Sequence, residues 1–509
     1  MVQSLAIGSL NGESVGIGWI IGPEFMNMSR DDSANQRLVD HRTAIVDSTA
    51  LAARLGRWAQ GDGTLSGRLA HGIRALVETG ELRPGDRLPA ERTLAAAIAV
   101  SRGTVVAAYA DLTERGAVER RQGSGTRIAG SPVSQPGRAG RGEALFSSLP
   151  NAIDLLRSVP LIPPTAVELI RNHKPRLDLA LLPETDPAGL PMLREQIAGM
   201  LVAGGTPTTP EQILVTHGAQ QAISLVVNAL VGPGDVVLAE EVTWPGVTDS
   251  VTLRGGSVQG IPMGPDGLDP AALEVAMARL RPALVALNPH HHNPTGTRLP
   301  AQARRRVADL AAQYGVPIVE DRVLADVSFD GVVPPTLAAE RPDAPVIVVE
   351  SVSKWAWAGL RIGWLRADPV LVRRLRGARQ LADQSSSVPA QLLASDLLAH
   401  AAELKREVSH AHGDRLDLLL RLLAEHLPEW TFQTPRGGLS LWAQIPAGSA
   451  DAFARVAAVH GVSVAGSAEF AASTSPDDHI RIPFTAPDDV LTEGVRRLGE
   501  AWREYRAGL

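Results

Sequence analysis

Apolar side chains recur with helical spacing at Leu65, Leu69, Ile73, Leu76 and Val77, and the run stops at Gly80 with Pro84-Gly85 beyond it, the punctuation of a helix end. A second helix is predicted from Leu88-Pro89-Ala90-Glu91-Arg92-Thr93-Leu94 to near Val100, with proline in the first turn, where its missing amide costs nothing. Ser101 is placed to cap a third helix that carries Arg102, Thr104, Val105, Tyr109 and Leu112 and ends at Gly116. The following Ala-Val-Glu-Arg-Arg-Gln-Gly-Ser-Gly-Thr-Arg-Ile reads as two short strands about a glycine turn. Residues 61–128 are therefore expected to form three helices and a hairpin, two of the helices meeting at a tight turn.

The pattern changes on either side. Residues 1–60 read as an extension, disordered in part, with charged and aliphatic positions alternating from 29 to 60 in a way that suits a short amphipathic helix. Residues 129–150 are rich in Gly, Ser and Pro, include Arg138 and Arg141, and show no period, as a flexible connector would. Beyond Ile153, helical stretches alternate with aliphatic runs such as Val236-Val237-Leu238, Ala283-Leu284-Val285-Ala286-Leu287, Pro317-Ile318-Val319 and Val346-Ile347-Val348-Val349. Such runs are strands buried on both faces. The fold class expected for 151–509 is α/β, a mixed and mostly parallel sheet over about 175–390 with a small α+β part over about 391–509.

Length and composition narrow the function. At roughly 150 residues per domain, 509 residues imply about three domains. No stretch is apolar enough over about 20 residues to span a bilayer, so no membrane role is expected. The absence of cysteine excludes disulfides and thiolate chemistry and suits a cytoplasmic protein. A net charge of −6 argues against bulk attraction to nucleic acid, yet residues 61–130 carry ten arginines against eight acids, a local +2. Placement matters more than the excess: Arg92 and Arg102 open successive helices, while Arg121 and Arg127 flank the hairpin. The third helix of such a unit enters the major groove by its N-terminal end, which makes Ser101, Arg102 and Thr104 the expected contacts to double-stranded operator DNA. Arg121, with Gly123 and Gly125 at the hairpin tip, is expected to approach the backbone or minor groove.

The motifs Leu-Pro-x-Glu-Arg at 88–92, Ser-Arg-x-Thr-Val at 101–105 and Arg-x-Gly-x-Gly-Thr at 121–126 stand in one uninterrupted stretch. In these residues the chain resembles the GntR regulators, which implies a winged helix-turn-helix that binds DNA.

The second constellation centres on Ser351-Val352-Ser353-Lys354, directly after a buried strand and followed by Trp-Ala-Trp-Ala-Gly-Leu-Arg361-Ile-Gly. A lysine at a strand end among apolar neighbours is partly desolvated, which lowers its pKa and favours the neutral amine that forms a Schiff base. Gly218-Ala219-Gln220 opens a helix after the strand Ile213 to Thr216, so its backbone donors suit a phosphate. Ser351, Ser353 and Arg361 add hydroxyls and a guanidinium. Trp244 offers a flat face for a pyridine ring, Asn293 a hydrogen bond to a phenolic oxygen, and Asp321 a partner for a protonated ring nitrogen. Together these describe a site for pyridoxal 5'-phosphate.

With Gly189-Leu-Pro-Met-Leu-Arg194 and the late Gly437-Gly438-Leu-Ser-Leu-Trp, the match extends to Arg481, and residues 175–485 resemble the fold-type I aminotransferases. In that family the arginine matching Arg481 holds a substrate α-carboxylate. Joined to the GntR-like head, the whole resembles the MocR-type regulators. The resemblance implies a large domain that acts as sensor and dimeriser, and a homodimer with exchanged DNA-binding heads that responds to pyridoxal phosphate and an amino compound. The alternative is an active aminotransferase that also binds DNA. Only Tyr109, Tyr314 and Tyr505 occur, and Arg322, Val323 and Leu324 follow Asp321 where such enzymes set a tyrosine against the cofactor. That leans towards the regulator. The run His290-His291-His292 invites a metal reading, but adjacent side chains do not point the same way and no carboxylate stands at ligand spacing, so no metal is expected.

Overall fold

The computed structural model describes residues 48–55, 58, 64–78, 82, 86–114, 118–121, 125–128, 141–146, 148, 151–174, 186–473 and 476–508. Two compact units divide the chain, Met1–Arg138 and Ala139–Leu509. Residues 1–47, the helix stops at Gly80, Pro84-Gly85 and Gly116, most of the connector, and Gly123 lie outside the described residues.

The first unit contains α1 (Ser48–Leu55), α2 (Leu65–Glu78), α3 (Glu91–Ala97), α4 (Arg102–Glu114) and the strands β1 (Val118–Arg121) and β2 (Gly125–Ile128). Leu69 and Ile73 of α2, Leu94 of α3, and Val105, Tyr109 and Leu112 of α4 share one buried core. The amphipathic pattern before residue 60 becomes α1, whose Leu51 and Leu55, one turn apart, join that core. The Thr104 amide donates to Ser101 Oγ at 3.1 Å, the N-cap bond the sequence predicts. Buried Tyr109 donates its hydroxyl to the Pro89 carbonyl at 2.9 Å and so ties α4 to the start of α3. β1 and β2 pair antiparallel from Val118↔Ile128 to Arg121↔Gly125. The chain before α3 stitches to the hairpin through Leu88 N to Thr126 O at 2.9 Å and Ile128 N to Asp86 O at 2.8 Å.

The second unit is built on a seven-stranded sheet of β3 (Ile213–Thr216), β4 (Val236–Glu240), β5 (Ser257–Ile261), β6 (Leu284–Leu287), β7 (Ile318–Asp321), β8 (Val346–Ser351) and β9 (Gly363–Arg366), in spatial order β3-β9-β8-β7-β6-β4-β5. β9 alone runs antiparallel to its neighbours. Its connection from β8, residues 352–362, is shorter than the roughly dozen residues a parallel crossover needs. Helices Ala219–Leu230, Pro245–Leu253, Pro270–Leu280 and Ala301–Tyr314 make four of the other crossings and cover the sheet, and the short helix Leu337–Glu340 lies in the fifth. Both faces of the inner strands are therefore dry, which is why they read as unbroken aliphatic runs, whereas the edge strand β5 is exposed at Ser257 and Gln259.

A smaller antiparallel sheet follows, of β10 (Thr431–Phe432), β11 (Ser440–Gln444), β12 (Ala465–Gly466) and β13 (His479–Pro483), in order β10-β11-β13-β12. Helices Ala401–His426, Ala450–Val459 and Asp488–Ala507 back it around edge-to-face contacts of Trp430 with Phe453 and Trp502 at 5.3 and 5.6 Å. Inside the connector, read above as aperiodic, Arg141–Ala144 forms a helical turn. It is held by a tertiary bond that no local pattern encodes, Gly142 N to Asp249 Oδ2 at 2.9 Å, and by burial of Leu145.

Candidate functional site

Parallel strands deliver their C-terminal ends to one edge of the sheet, and the polar motifs gather there. β8 is buried at all six positions and then tightens into a 3-10 turn, Val352–Lys354. Ser351 Oγ accepts from the Ser353 amide at 3.1 Å, lies 2.8 Å from Ser353 Oγ and donates to the Ile362 carbonyl at 2.9 Å. This network fixes the turn that carries Lys354. The lysine is half-buried, and its Nζ donates to the Ser158 carbonyl at 2.6 Å. Burial, then the nearby Arg481, pull its pKa down to about 8, while Asp321 acts in the opposite sense.

Asp321 closes β7 beside β8 and is 7% exposed. It accepts from the Val323 amide at 3.0 Å. Burial pushes its pKa up to about 6, against the Val323 amide, Lys354 and the Asn288 side chain. Lys354 and Asp321 thus hold depressed and raised pKa values side by side, the pattern of a chemical site.

Arg481, on β13 and 1% exposed, lies with its guanidinium 4.6 Å from the Phe470 ring centre. It donates through Nη1 to Asn293 Oδ1 at 3.2 Å and through Nη2 to the Leu156 carbonyl. Burial lowers even this guanidinium to about 9, with Glu469 and Asp154 opposing.

The turn after β3 carries Gly218 at φ 79, opening the helix Ala219–Leu230. A Cβ there would sit 3.1 Å from Arg361 Nη2. Arg361, exposed, donates to the His217 carbonyl at 3.0 Å. Because β9 lies between β3 and β8, the Gly218 turn, Arg361 and the two serines become neighbours. A Cβ on Gly363 would meet the Gly218 backbone at 2.8 Å, so that close approach demands glycine. Trp244 caps the helix Pro245–Leu253, half-buried with Leu156 and Phe470, and its Nε1 donates to Gln220 Oε1 at 2.7 Å. Gln220, expected only as a backbone donor, thus fixes the indole with its side chain.

Some members of the site carried no signal in the sequence. The carbonyls of Leu156 and Ser158 come from an aperiodic stretch and act through backbone atoms that every residue has. Glu240 is different: it ends the aliphatic run of β4, 2% exposed, accepts from the Asn288 amide at 2.7 Å and has its pKa pushed up to about 8 by burial. A charged residue in a dry strand was its visible mark. The three histidines meet different surroundings. His290 Nε2 lies 2.8 Å from Glu320 Oε1 and 2.9 Å from Arg322 Nη1, His291 packs against Gly437, and His292 Nδ1 lies 2.9 Å from Thr295 Oγ1. Arg322 turns into this buried network and donates to Glu350 Oε1 at 3.1 Å. Of the tyrosines, Tyr109 lies in the head core, Tyr314 ends its helix and Tyr505 accepts from the Ser449 amide at 2.8 Å.

In the first unit Arg92, Ser101 and Arg102 are exposed and Thr104 is half-buried. Ser101 Oγ is engaged by the Thr104 amide and lies 2.9 Å from Thr104 Oγ1. Arg121 closes β1, but its side chain, like all of Gly123, lies outside the described residues.

Comparison with known proteins agrees with this construction. Residues 181–498 match aminotransferase class I and II, and residues 65–128 match the bacterial regulatory proteins of the gntR family. A 2-aminoadipate transaminase of Thermus thermophilus is 31% identical over 299 residues, covering 57% of this chain and 75% of that protein. The probable rhizopine catabolism regulatory protein MocR of Rhizobium meliloti is 27% identical over 400 residues, covering 73% and 80%. A kynurenine aminotransferase of Pyrococcus horikoshii, solved with PMP and kynurenine, superposes with a TM-score of 0.64 at 26% identity, over 71% of this chain and 93% of that one. A gntR-type winged helix fused to a fold-type I aminotransferase-like domain defines a regulator of the MocR type. By its larger part, the chain belongs to the aminotransferase class I and II family, whose members depend on pyridoxal phosphate.

Proposed function

We propose that this protein is a cytoplasmic transcription regulator that binds operator DNA through the winged helix and senses pyridoxal 5'-phosphate held as a Schiff base on Lys354. The observation that carries the reading is that Asp321 and Lys354 stand at the ends of the neighbouring strands β7 and β8, while Lys354 and the buried Arg481 of the smaller sheet donate to carbonyls two residues apart, Ser158 and Leu156. The donor set fits the cofactor. The Gly218 turn, at φ 79 and approached so closely that Gly363 has no room for a Cβ, forms a cradle with Ser351, Ser353 and Arg361 suited to a phosphate. Ala219 and Gln220 contribute backbone donors at the same helix start. Asp321 suits a protonated ring nitrogen, Asn293 a phenolic oxygen and Trp244 the ring face. When bound, the cofactor supplies an aldehyde carbon that exchanges amines and a ring that withdraws electrons.

Arg481 would then hold the carboxylate of an amino compound, with Asn293 orienting the guanidinium. Two heads on a homodimer, exchanged between subunits, would read two half-sites, with Arg92, Ser101, Arg102, Thr104, Arg121 and Gly123 at the DNA. A ligand shifts operator affinity only by binding one arrangement of the heads better than another. The lack of tyrosine among the site's side chains, and the diversion of Arg322 into the core, favour sensing over turnover. The test is an absorption spectrum of the purified protein, borohydride reduction and peptide mapping, followed by operator titrations with and without pyridoxal phosphate. Label on Lys354 with altered operator affinity is expected. Equal affinities would remove the sensor, and sustained amino transfer to a keto acid at ordinary enzymatic rates would favour a working aminotransferase.

A further inference from the structure

Three consecutive carbonyls of one short segment accept hydrogen bonds from the site. Arg481 Nη2 donates to Leu156 O, Thr485 Oγ1 to Arg157 O at 3.2 Å, and Lys354 Nζ to Ser158 O at 2.6 Å. Upstream, the segment is tethered. The strand Ile153–Asp154 pairs with Val462–Ser463, the Leu155 amide donates to Ser463 O at 3.0 Å, and Asp154 accepts from the Leu156 amide at 2.9 Å while pairing with Arg157 at 2.8 Å. Leu156 itself is buried against the cluster that contains Phe470 and Trp244.

Two of the three donors are the groups assigned above to a ligand. Their strap bonds are also incomplete: Arg481 Nε and the Ser158 hydroxyl are buried without a hydrogen-bond partner among the described residues. A buried guanidinium with an idle N–H is costly, and a carboxylate that engages two of its nitrogens satisfies it better than one carbonyl does.

We infer that residues 156–158 form a latch that a carboxylate-bearing amino compound must displace, so that occupancy of the site is passed to the first part of the large domain after the connector to the DNA-binding head. The inference rests on the sensor reading and adds its moving part. Condensation of the Lys354 amine with an aldehyde forms a C=N bond and releases the aldehyde oxygen as water with both amine hydrogens. That removes the donor to Ser158 O. A carboxylate on Arg481 competes with Leu156 O. Cofactor alone loosens the Ser158 tie; an amino acid that takes the aldehyde carbon from Lys354 returns the lysine amine and, through its carboxylate, loosens the Leu156 tie instead. Each state of the site therefore loosens a different tie.

Hydrogen exchange of residues 153–163 in the full-length protein tests this with two stable probes. Pyridoxamine phosphate carries the ring and phosphate only, and N-(5'-phosphopyridoxyl)glycine adds the carboxylate. The glycine adduct is expected to raise exchange across the segment at least tenfold over pyridoxamine phosphate. Thr485→Val, which removes one of the two ties that neither probe disturbs and leaves both ligand-binding groups in place, is expected to bind the adduct several-fold more tightly. Equal exchange with the two probes, or adduct affinity that is unchanged or weaker in Thr485→Val, overturns the latch while leaving the sensor reading intact. Failure of both probes to bind overturns the sensor reading and the latch with it.

Discussion

Trp244 Nε1 donates to Gln220 Oε1 at 2.7 Å, and Gln220 Nε2 donates onward to the Gly246 carbonyl at 3.0 Å. The indole is therefore fixed in rotation by a residue of the helix whose start forms the proposed phosphate cradle. A Cβ at Gly246 would fall 2.0 Å from Gln220 Oε1, so the amide is packed as well as bonded. Gln220→Leu keeps the bulk and removes both bonds. At about 1 kcal/mol for each bond lost, the fold should lose about 2 kcal/mol, and because the freed indole must be re-ordered against the ring, pyridoxal phosphate affinity should fall by up to about thirtyfold. An absorbance titration and a melting curve measure the two, and undiminished affinity would contradict the stacking role given to Trp244.

The nucleophilic form of Lys354 sets a second expectation. With its pKa near 8 rather than 10.5, about one-tenth of the amine is neutral at pH 7, against less than a thousandth for an unperturbed lysine. The rate of cofactor capture should climb about tenfold per pH unit up to roughly pH 7 and level off above pH 8. Stopped-flow absorbance reads this directly. A rate still climbing steeply at pH 10 would mean that the amine is not desolvated.

Much of this was legible beforehand because the informative residues obey local rules. Dry strands leave aliphatic runs, a capped helix leaves serine before its first turn, and Gly218 and Lys354 stand at strand ends where ligands bind. What escaped has a physical reason. The carbonyls of Leu156 and Ser158 are common to every backbone, and the helical turn Arg141–Ala144 depends on Asp249, far along the chain. The sequence marks Gln220 only as a helix-start donor, and its bonds to the Gly246 carbonyl and the Trp244 indole depend on tertiary packing.

Asp321 stores instability for use. Its pKa of about 6 in the fold, against 3.8 for an ordinary aspartate carboxyl, means that the folded protein binds more protons than the unfolded chain between those values. Its stabilising contribution is complete below about pH 4 and is lost as pH rises through 6. At pH 8 the buried carboxylate is therefore a liability of about 2–3 kcal/mol. Asp321→Asn should make the cofactor-free protein more stable at pH 8 by that order, with the gain fading as pH falls from 6 towards 4. Cofactor affinity should drop at the same time. Urea unfolding at a series of pH values checks the sign, and a gain that does not depend on pH would assign the effect to packing instead.

The N-terminal end of α4 separates stability from recognition. Ser101 Oγ caps the helix through the Thr104 amide, so Ser101→Ala should cost the head about 1 kcal/mol and confuse any binding measurement. Ser101→Asp retains an acceptor, and its charge is favourable at a helix N-terminus, so the head should stay as stable as the parent. If that end lies in the major groove, the same carboxylate faces phosphates and base acceptors, and operator affinity should fall at least tenfold. Arg102→Ala and Arg92→Ala should each weaken binding, and whichever contacts phosphate alone should lower the salt slope by about one while leaving sequence preference unchanged. Parent-like operator binding by Ser101→Asp, with the head shown folded by its melting curve, would turn that face of the winged helix away from DNA.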